Sequence, residues 1–209
     1  MILAIETSTR QASLVLRNPA DSEPVWESTF VTDRAHNAAI FGPLQELMRE
    51  HRDLIEGIVV GLGPGSYGGI RVGIAVANGI SMSLGKPTCG VSSLEGWGID
   101  EDSYVVVGDA RRKSWFIAEI TDSGLRNEPS LFEVEKAREV VREISDSGRP
   151  VVSADESVVQ LEQSVLLSYP VASRLIDRVT DRMVANWKAT NLEPHYLRAP
   201  YITKPTTRK

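Results

Sequence analysis

Residues 2–16 read Ile-Leu-Ala-Ile-Glu-Thr-Ser-Thr-Arg-Gln-Ala-Ser-Leu-Val-Leu. Two apolar runs, Ile2–Ile5 and Ala12–Leu16, flank a polar segment rich in hydroxyl groups, which is the pattern of a β-hairpin. The next segment, Val25–Thr32, is rich in β-branched and aromatic residues and predicts a third strand. Three successive strands argue against a doubly wound dinucleotide-binding fold, because in that fold a helix follows the first strand.

The period of the apolar residues changes after the third strand. Apolar residues recur at helical spacing at Ile40, Phe41, Leu44, Leu47 and Met48. They predict a helix over about Ala35–Arg52 with one apolar face. A buried strand at Gly57–Leu62, a helix at about Ile70–Leu84, a strand at Thr88–Val91 and a short helix around Ser93–Trp97 follow. The first half therefore has the order βββαβα, with one further strand.

The second half is predicted to be a shortened variation on the first. It follows the acidic residues 100–102 and contains strands at Tyr104–Gly108, Ser114–Ile120 and Pro150–Ser153, and helices at about Val134–Ser145, Ser157–Leu166 and Ala172–Ala185. Related halves point to an internal repeat. We expect a first domain over residues 1–100, a second over 101–193 and a basic tail over 194–209.

Composition excludes several classes of protein. The single cysteine, Cys89, rules out a disulfide framework and a cysteine-rich metal site. The net charge of −5 argues against a dedicated nucleic-acid-binding domain. The tail carries only basic charges, at Arg198, Lys204, Arg208 and Lys209, and is typical either of a solvated terminus or of an auxiliary phosphate contact. The sequence shows neither a signal peptide nor a membrane-spanning stretch, so we expect a cytoplasmic protein that does not bind membranes.

A glycine-rich loop lies between the predicted buried strand and the second helix. Its glycines stand at positions 61, 63, 65, 68 and 69, where backbone N–H groups and a helix N-terminus can face an anion. The segment formally matches the dinucleotide fingerprint, but no acid follows about 20 residues later to bind a ribose hydroxyl. A Walker loop is excluded because Ile70-Arg71 replaces its Lys-Ser/Thr. The remaining alternative is a tight turn that packs a glycine-faced helix onto the sheet.

Five segments together resemble one family. They are Ile2–Thr9, Gly63–Gly73, Gly90–Glu95, Asp109–Arg111 and Pro194–Arg198. In this order they resemble the signature segments of the TsaB (YeaZ-like) family, accessory subunits of bacterial tRNA threonylcarbamoyladenosine synthesis that are often classed with glycoprotease-like peptidases. The chain departs from the family pattern at Tyr67, where Phe is usual, and at Gly68, where Thr is usual; the second change removes a hydroxyl group.

The resemblance implies an α/β architecture of the actin/Hsp70/sugar-kinase-like ATPase (ASKHA) type, with two ribonuclease-H-like halves of which the second is abbreviated. It implies a remnant cofactor cleft lined by Glu6, Ser8, Gly63, Gly65, Ser66 and Arg71. The second hairpin turn carries Arg111, Arg112 and Lys113, whose long side chains leave little room for a nucleotide phosphate. We therefore expect no tightly bound cofactor, although ATP or ADP is possible at the interface with a partner. We also expect Arg71 to form an internal ion pair with Glu6 or Asp109.

The resemblance further implies that the first two helices bind a catalytic TsaD-type subunit, or a second copy of the chain in its absence. The residues suited to that contact are Phe41, Leu44, Met48, Gly69, Gly73 and Ala77. The same residues are also compatible with the chain's own core. The implied function is a non-catalytic scaffold for transfer of threonylcarbamoyl to adenosine 37 of tRNA, with a TsaE-type ATPase in the same complex and tRNA bound indirectly.

Direct catalysis has little support in the sequence. His36 has Ile40 four residues later, so the predicted helix lacks the pair of histidines that would grip a metal. Ser66 does not stand in a nucleophile elbow, and Cys89 lies in a predicted strand. We expect no catalytic residue and no metal site. The alternative is a small ATP- or metal-dependent enzyme of the same fold, either a phosphotransferase or a glycoprotease-like peptidase.

Overall fold

The computed structural model describes residues 1–31, 37–179 and 192–197. These residues form two sheets and five α-helices. The strands are β1 Ile2–Glu6, β2 Gln11–Arg17, β3 Trp26–Val31, β4 Gly57–Gly61, β5 Thr88–Val91, β6 Tyr104–Asp109, β7 Ser114–Thr121, β8 Gly124–Leu125, β9 Ser130–Glu133, β10 Val151–Ser153 and β11 Leu166–Leu167. The helices are α1 Phe41–His51, α2 Tyr67–Leu84, α3 Val134–Asp146, α4 Glu156–Leu161 and α5 Ala172–Asp177. Short 3₁₀ turns span Asn37–Ile40, Arg52–Leu54 and Ser93–Glu95.

The first sheet has the order β3-β2-β1-β4-β5. Its antiparallel hairpin β1–β2 continues into β3, while β4 and β5 run parallel to β1. The central strand β1 is buried along its whole length, and its residues alternate between two cores. Leu3 and Ile5 pack in the core shared with α1 and α2, whereas Ile2 and Ala4 pack with α5.

The second sheet repeats this arrangement. Strand β6 pairs with β7 on one side and with the parallel strand β10 on the other, and β11 follows β10. Strands β8 and β9 pair with the two ends of β7 and together take the place of the third strand. The two sheets thus share one strand order, as the expected fold class requires. The second half is shortened mainly in its elements: α4 has 6 residues where α2 has 18.

The structure differs from the sequence expectations at several boundaries. The helix expected over Ser157–Leu166 ends at Leu161, because the buried Glu162 is held outside it by Arg142 and the chain then runs along β10. Strands β8 and β9 were not predicted, since β8 has only two residues and β9 has no buried apolar run. Three expectations concern residues outside the described ranges. They are the start of the first helix at positions 35–36, the end of the last helix at positions 180–185 and the tail from residue 198.

Helix α5 follows the second sheet in the chain but packs on the first. Ala172, Leu175 and Ile176 are buried against the first sheet, and the Ala172 N–H donates to the Ser13 hydroxyl at 2.9 Å. Arg17 forms a salt bridge with Asp177. Another core, containing Leu94, Trp97 and Tyr104, joins the segment after β5 to the second sheet. Among the described residues, no helix combines the length and apolar character needed to cross a bilayer.

Candidate functional site

The glycine loop at the start of α2 has three N–H groups that the protein itself satisfies. Gly63 N–H donates to the Ser93 hydroxyl at 3.0 Å, and Ser66 N–H donates to the Ser8 carbonyl at 2.6 Å. Gly69 N–H donates to the Ser66 hydroxyl at 3.3 Å, which makes Ser66 the N-cap of α2. These donors are therefore engaged in holding the loop against β1 and the segment after β5, although an anion-binding loop would direct them at its ligand.

Close packing explains why glycine occupies the loop. A Cβ on Gly65 would lie within 3.0 Å of the Ser8 carbonyl oxygen, and a Cβ on Gly69 would lie equally close to the Thr7 carbonyl oxygen. A Cβ on Gly73 would meet the Thr7 hydroxyl. The hydroxyl of Thr7 in turn donates to the carbonyl of Gly69 at 2.9 Å. The loop therefore packs as a tight turn that holds α2 against the first sheet.

This packing corrects the expected partner-binding face of α2. Gly69, Gly73 and Ala77 are buried and face the first sheet, so they cannot contact another chain. The outward face instead carries Arg71, Ala75, Gly79 and Met82, and Met82 is 86% exposed. Spacing along the helix could have revealed this face, because these residues recur every three or four positions.

The expected partner residues of α1 are exposed to different degrees. Phe41 is 58% exposed, whereas Leu44 and Met48 are partly buried against the first core. Ile40 stands where a second metal-binding histidine would be needed. It is only 1% exposed and belongs to the same core. The described residues contain no group of three or more His, Cys, Asp or Glu placed to hold a metal ion, and His36 lies outside them.

Glu6 and Ser8 are buried beneath the glycine loop, which corrects the expectation that they line an open cleft. One carboxylate oxygen of Glu6, Oε1, accepts the Ser8 N–H at 2.6 Å. Within the part of the chain that the structure describes, the other oxygen, Oε2, and the Ser8 hydroxyl have no hydrogen-bond partner. A Cβ on Gly61 would overlap Oε2, so only glycine fits beside this carboxyl group. Burial raises the pKa of Glu6 above its usual range, and the hydrogen bond from the Ser8 N–H opposes that rise only in part.

Arg71 does not form the expected ion pair with Glu6 or Asp109. Its side chain is exposed, its Nη1 donates to the Tyr67 hydroxyl at 3.0 Å, and its guanidinium carbon lies 5.1 Å from the centre of the Tyr67 ring. Glu6 is shielded from it by the loop, and Asp109 is bound to Arg111 instead. The Tyr67 ring also stacks on Tyr196, a contact that sequence reasoning did not find because the two residues are far apart in the chain.

The second hairpin turn is built differently. Arg111, Arg112 and Lys113 have φ angles of 63°, 54° and 57°, so three successive residues other than glycine are left-handed. Asp109 stabilises this conformation by accepting the Arg111 N–H at 2.8 Å and the Arg111 Nη1 at 3.1 Å. Asp155 Oδ2 accepts the Asp109 N–H at 2.7 Å. Burial raises the pKa of Asp155, the hydrogen bond from Asp109 N–H opposes the rise, and the negative charge of Asp109 adds to it.

A cavity of about 370 Å³ lies beside the glycine loop, between the segment after β5, residues 125–129 and residues 194–197. Its lining includes Pro64, Ser92, Pro129, Glu128 and Tyr196. The segment is fastened to the loop by a 2.8 Å hydrogen bond from the His195 N–H to the Leu62 carbonyl. The terminal segment that carried part of the family resemblance therefore forms one wall of the cavity.

Sequence comparison shows which known proteins this chain resembles. A family model described as TsaD, tRNA N6-adenosine threonylcarbamoyltransferase, matches residues 30–131. The chain is 33% identical to an uncharacterized protein of Mycobacterium tuberculosis over 130 residues, which are 60% of this chain and 61% of that protein. It is 32% identical to the tRNA threonylcarbamoyladenosine biosynthesis protein TsaB of Escherichia coli over 96 residues, 44% of this chain and 40% of that one. The matched part thus spans less than two thirds of either relative.

Two solved structures resemble the whole described fold. An uncharacterized Pseudomonas aeruginosa protein with similarity to the peptidase YeaZ superposes with a TM-score of 0.70, and YeaZ from Pseudomonas aeruginosa with a TM-score of 0.65. Each is 19% identical and covers 94% of this chain and 99% of the other. The repeated sheets and these likenesses define the class of protein: it has an actin-like, ATPase-type fold. Within that class, the chain is similar to TsaB and YeaZ proteins.

Proposed function

We propose that the chain acts in tRNA threonylcarbamoyladenosine biosynthesis as a non-catalytic accessory subunit that binds a TsaD-type catalytic subunit. The names of the TsaB relatives support the pathway. The observation that carries the accessory role is the closed glycine loop, in which the N–H groups of Gly63, Ser66 and Gly69 already have protein acceptors. A loop in this state offers a nucleotide phosphate few of the donors that an ATPase of this fold would use.

The second hairpin turn supports the same proposal. Its left-handed residues carry long cationic side chains that are exposed, so they keep the backbone away from a phosphate group. We therefore place any ATP or ADP at the interface with the partner rather than inside this chain. The proposal also includes a TsaE-type ATPase in the same complex, a homodimer in the absence of the partner and a cytoplasmic location.

The outward faces of α1 and α2 are the proposed partner surface. Phe41 and Met82 are large apolar side chains exposed on these helices, at 58% and 86%. Gly79 lies between Ala75 and Met82 along α2, and a Cβ there would meet nothing within 4 Å. Exposed apolar groups beside small residues are typical of a protein interface, because they allow close packing with another helix.

The test is co-elution of the purified chain with the TsaD-type subunit of the same organism. The mixture is passed over a sizing column coupled to light scattering, with and without ATP. We expect a complex that gains tRNA-modifying activity, and we expect Phe41→Ala to weaken association about tenfold or more, because buried aromatic anchors carry much of the binding free energy of interfaces.

Leu166→Ala is the matched control, since Leu166 is exposed to a similar extent, 57%, but lies on the second sheet. It should leave association unchanged. If the wild-type chain does not co-elute under any nucleotide condition, the proposed partner is wrong. Equal weakening by both variants would move the interface away from α1.

One observation favours the alternative, an enzyme of the same fold. Glu6 is a fully buried carboxyl group with a raised pKa and an unpartnered oxygen, and such groups recur at active sites. Hydrolysis of ATP by the isolated chain at a rate on the order of 1 per second would support that alternative. Loss of this activity in Glu6→Gln would then assign it to the site.

A further inference from the structure

A smaller cavity lies where α5 meets the connection between β5 and β6. Its volume is about 150 Å³, which is below the range of about 300–1,000 Å³ that is typical of pockets for drug-sized ligands. It has room for a molecule with the liquid volume of about five waters. The charged residues that line it carry both signs: Glu95, Glu101, Asp102, Asp177, Arg174 and Arg178. A cavity of this size and lining suits a small polar ligand.

The buried side of the cavity offers hydrogen-bond donors. Trp97 lines it and is 5% exposed, and its indole Nε1 has no hydrogen-bond partner in the described part of the chain. Buried donors are normally satisfied in native proteins, so an orphaned N–H beside a cavity points to a group that the cavity holds.

Arg178 adds positive charge on the same side. Its Nε donates to the Glu95 carbonyl at 3.3 Å and its Nη1 donates to the Asp122 carbonyl at 3.0 Å. None of the described carboxylates forms a salt bridge with it. A guanidinium group that is held in place by carbonyls, together with an unpartnered indole N–H, suits a carboxylate ligand.

The Glu95 carboxylate is the negative charge nearest to these donors, and the chain's own groups engage it. A Cβ on Gly124 would lie 2.7 Å from its Oε2, and the backbone of Leu125 hydrogen-bonds with it. Burial raises the pKa of Glu95, and the positive charge of Arg178 opposes that rise. Because β8 and Arg178 already engage this carboxylate, its repulsion of a bound carboxylate is limited.

The exposed rim of the cavity is acidic. Glu101 and Asp102 are exposed, and no basic group in the described ranges forms a salt bridge with either of them. Arg174 pairs with Asp100 instead, at 3.7 Å. Since the described residues contain no group of acids placed to hold a metal ion, the rim suits an organic cation such as an ammonium group.

The floor of the cavity is fixed before a ligand binds. The Tyr104 hydroxyl donates to the Leu94 carbonyl at 2.9 Å and accepts the Trp97 backbone N–H at 3.4 Å. Trp97 also forms an isolated β-bridge with Pro170. A preorganised site loses little conformational entropy when its ligand binds.

We propose that this cavity binds a small α-amino acid, whose carboxylate accepts from Arg178 and the Trp97 indole N–H and whose ammonium group faces Glu101 and Asp102. A simple anion would meet the acidic rim, and a simple amine would leave the donors unpartnered, whereas a zwitterion matches both. Its two charges must be close together because the cavity is small. The described lining shares no residue with the proposed partner surface, so this site goes beyond the proposed function.

The experiment titrates the isolated full chain with each standard L-amino acid and follows the ligand by saturation-transfer NMR, which detects weak binding. We expect at least one amino acid to bind with a Kd of about 1 mM or lower. Two matched probes are then made from the tightest binder: its deamino carboxylic acid and its decarboxylated amine. Each keeps one of the two charges and should bind about tenfold more weakly or less tightly still.

Variants of the buried side test the carboxylate contacts. Arg178→Met removes the guanidinium charge but keeps the length of the side chain, and it should weaken binding about tenfold or more. Trp97→Phe keeps an aromatic ring without the N–H and should weaken binding about twofold to tenfold. Arg126→Met is the control, since Arg126 is 60% exposed and does not line the cavity, and it should bind as the wild type does.

A variant of the rim tests the ammonium contact. The double replacement Glu101→Gln with Asp102→Asn should weaken binding of the amino acid but should not weaken binding of its deamino acid, which has no ammonium group. A merely structural effect would weaken both ligands equally. Thermal unfolding checks that each variant folds, and Trp97→Phe decides the matter if Arg178→Met does not fold.

Failure of every amino acid to bind at about 10 mM would overturn the proposed site. Binding that neither Arg178→Met nor Trp97→Phe weakens would also overturn it, because the ligand would then lie elsewhere. Equal binding of the deamino acid or of the amine would overturn the assignment of an amino acid as the ligand. The titration needs no partner subunit, so its outcome is independent of the co-elution experiment.

Discussion

The two hairpin turns occupy equivalent positions in the repeated halves but are built in opposite ways. In the first turn, Glu6, Thr7 and Ser8 are buried, and the glycine loop that follows β4 packs directly on their backbone. In the second turn, residues 111–113 are exposed and left-handed. There the loop that follows β10 meets the end of β6 through the side chain of Asp155.

The difference shows how one topology can give two kinds of surface. Glycines let two backbones approach and satisfy each other's hydrogen bonds, so the first junction is closed. A carboxylate in the second junction keeps the two loops a side chain apart and adds negative charge where a phosphate would need donors. The two junctions are therefore built differently, although the two sheets share one strand order.

The largest effect should come from opening the first junction. Gly69→Ala places a methyl group against the Thr7 carbonyl oxygen, and a backbone atom cannot move aside. We expect a loss of about 3 kcal/mol or more in the free energy of unfolding, measured in urea. Gly79→Ala, on the outward face of the same helix, meets nothing within 4 Å and should stabilise by up to about 1 kcal/mol. Similar stabilities for the two variants would mean that the junction is not closed.

An intermediate effect should appear in the pH dependence of stability. Since the pKa of Glu6 is raised by folding, this group stabilises the chain below its unfolded pKa near 4.5, and that contribution is lost as pH rises through the folded pKa. The stability of wild type relative to Glu6→Gln should therefore fall as pH increases above 4.5. Urea unfolding at a series of pH values measures it, with the exposed Glu23→Gln as control. A relative stability that rises with pH would contradict burial of the charge.

The smallest effect should come from relaxing the second turn. Lys113 has φ 57°, a conformation that costs a residue with a Cβ about 1–2 kcal/mol and costs glycine nothing. Glycine loses more conformational entropy on folding than lysine does, and this offsets part of the relieved strain. Lys113→Gly should therefore raise the free energy of unfolding by about 0.5–1 kcal/mol, measured by thermal or urea unfolding. Lys113→Ala removes the same charge without relieving strain and should change stability less. Destabilisation by the glycine variant would show that the turn is not strained.

Much of the fold could be predicted because it follows local patterns. The apolar runs of β1, β2 and β4 identify strands, and the helical spacing of Ile40, Leu44 and Leu47 identifies the first helix. Strand β11 could not be found in this way, because it consists of two exposed leucines. The chain reaches this strand after Glu162, which is buried and held by Arg142, a residue distant in the sequence.

The candidate site was less predictable than the fold. Spacing suggested that Gly69, Gly73 and Ala77 allow a close approach, which is correct, but it could not tell whether the approaching backbone belongs to a partner or to the chain itself. Arg71 was assigned an acidic partner on charge alone. Its neighbour is a tyrosine ring, because Glu6 lies under the loop and Asp109 is already bound by Arg111.

The sequence by itself determined the order of the longer strands and helices and the position of the glycine loop, since each depends on residues close together in the chain. Only the tertiary structure decided that the loop is closed, that the Glu6 carboxyl is buried, that α5 returns to the first sheet and that Tyr196 stacks on Tyr67. These features depend on contacts between distant segments. Packing and hydrogen bonding select such contacts only after the sheets have formed.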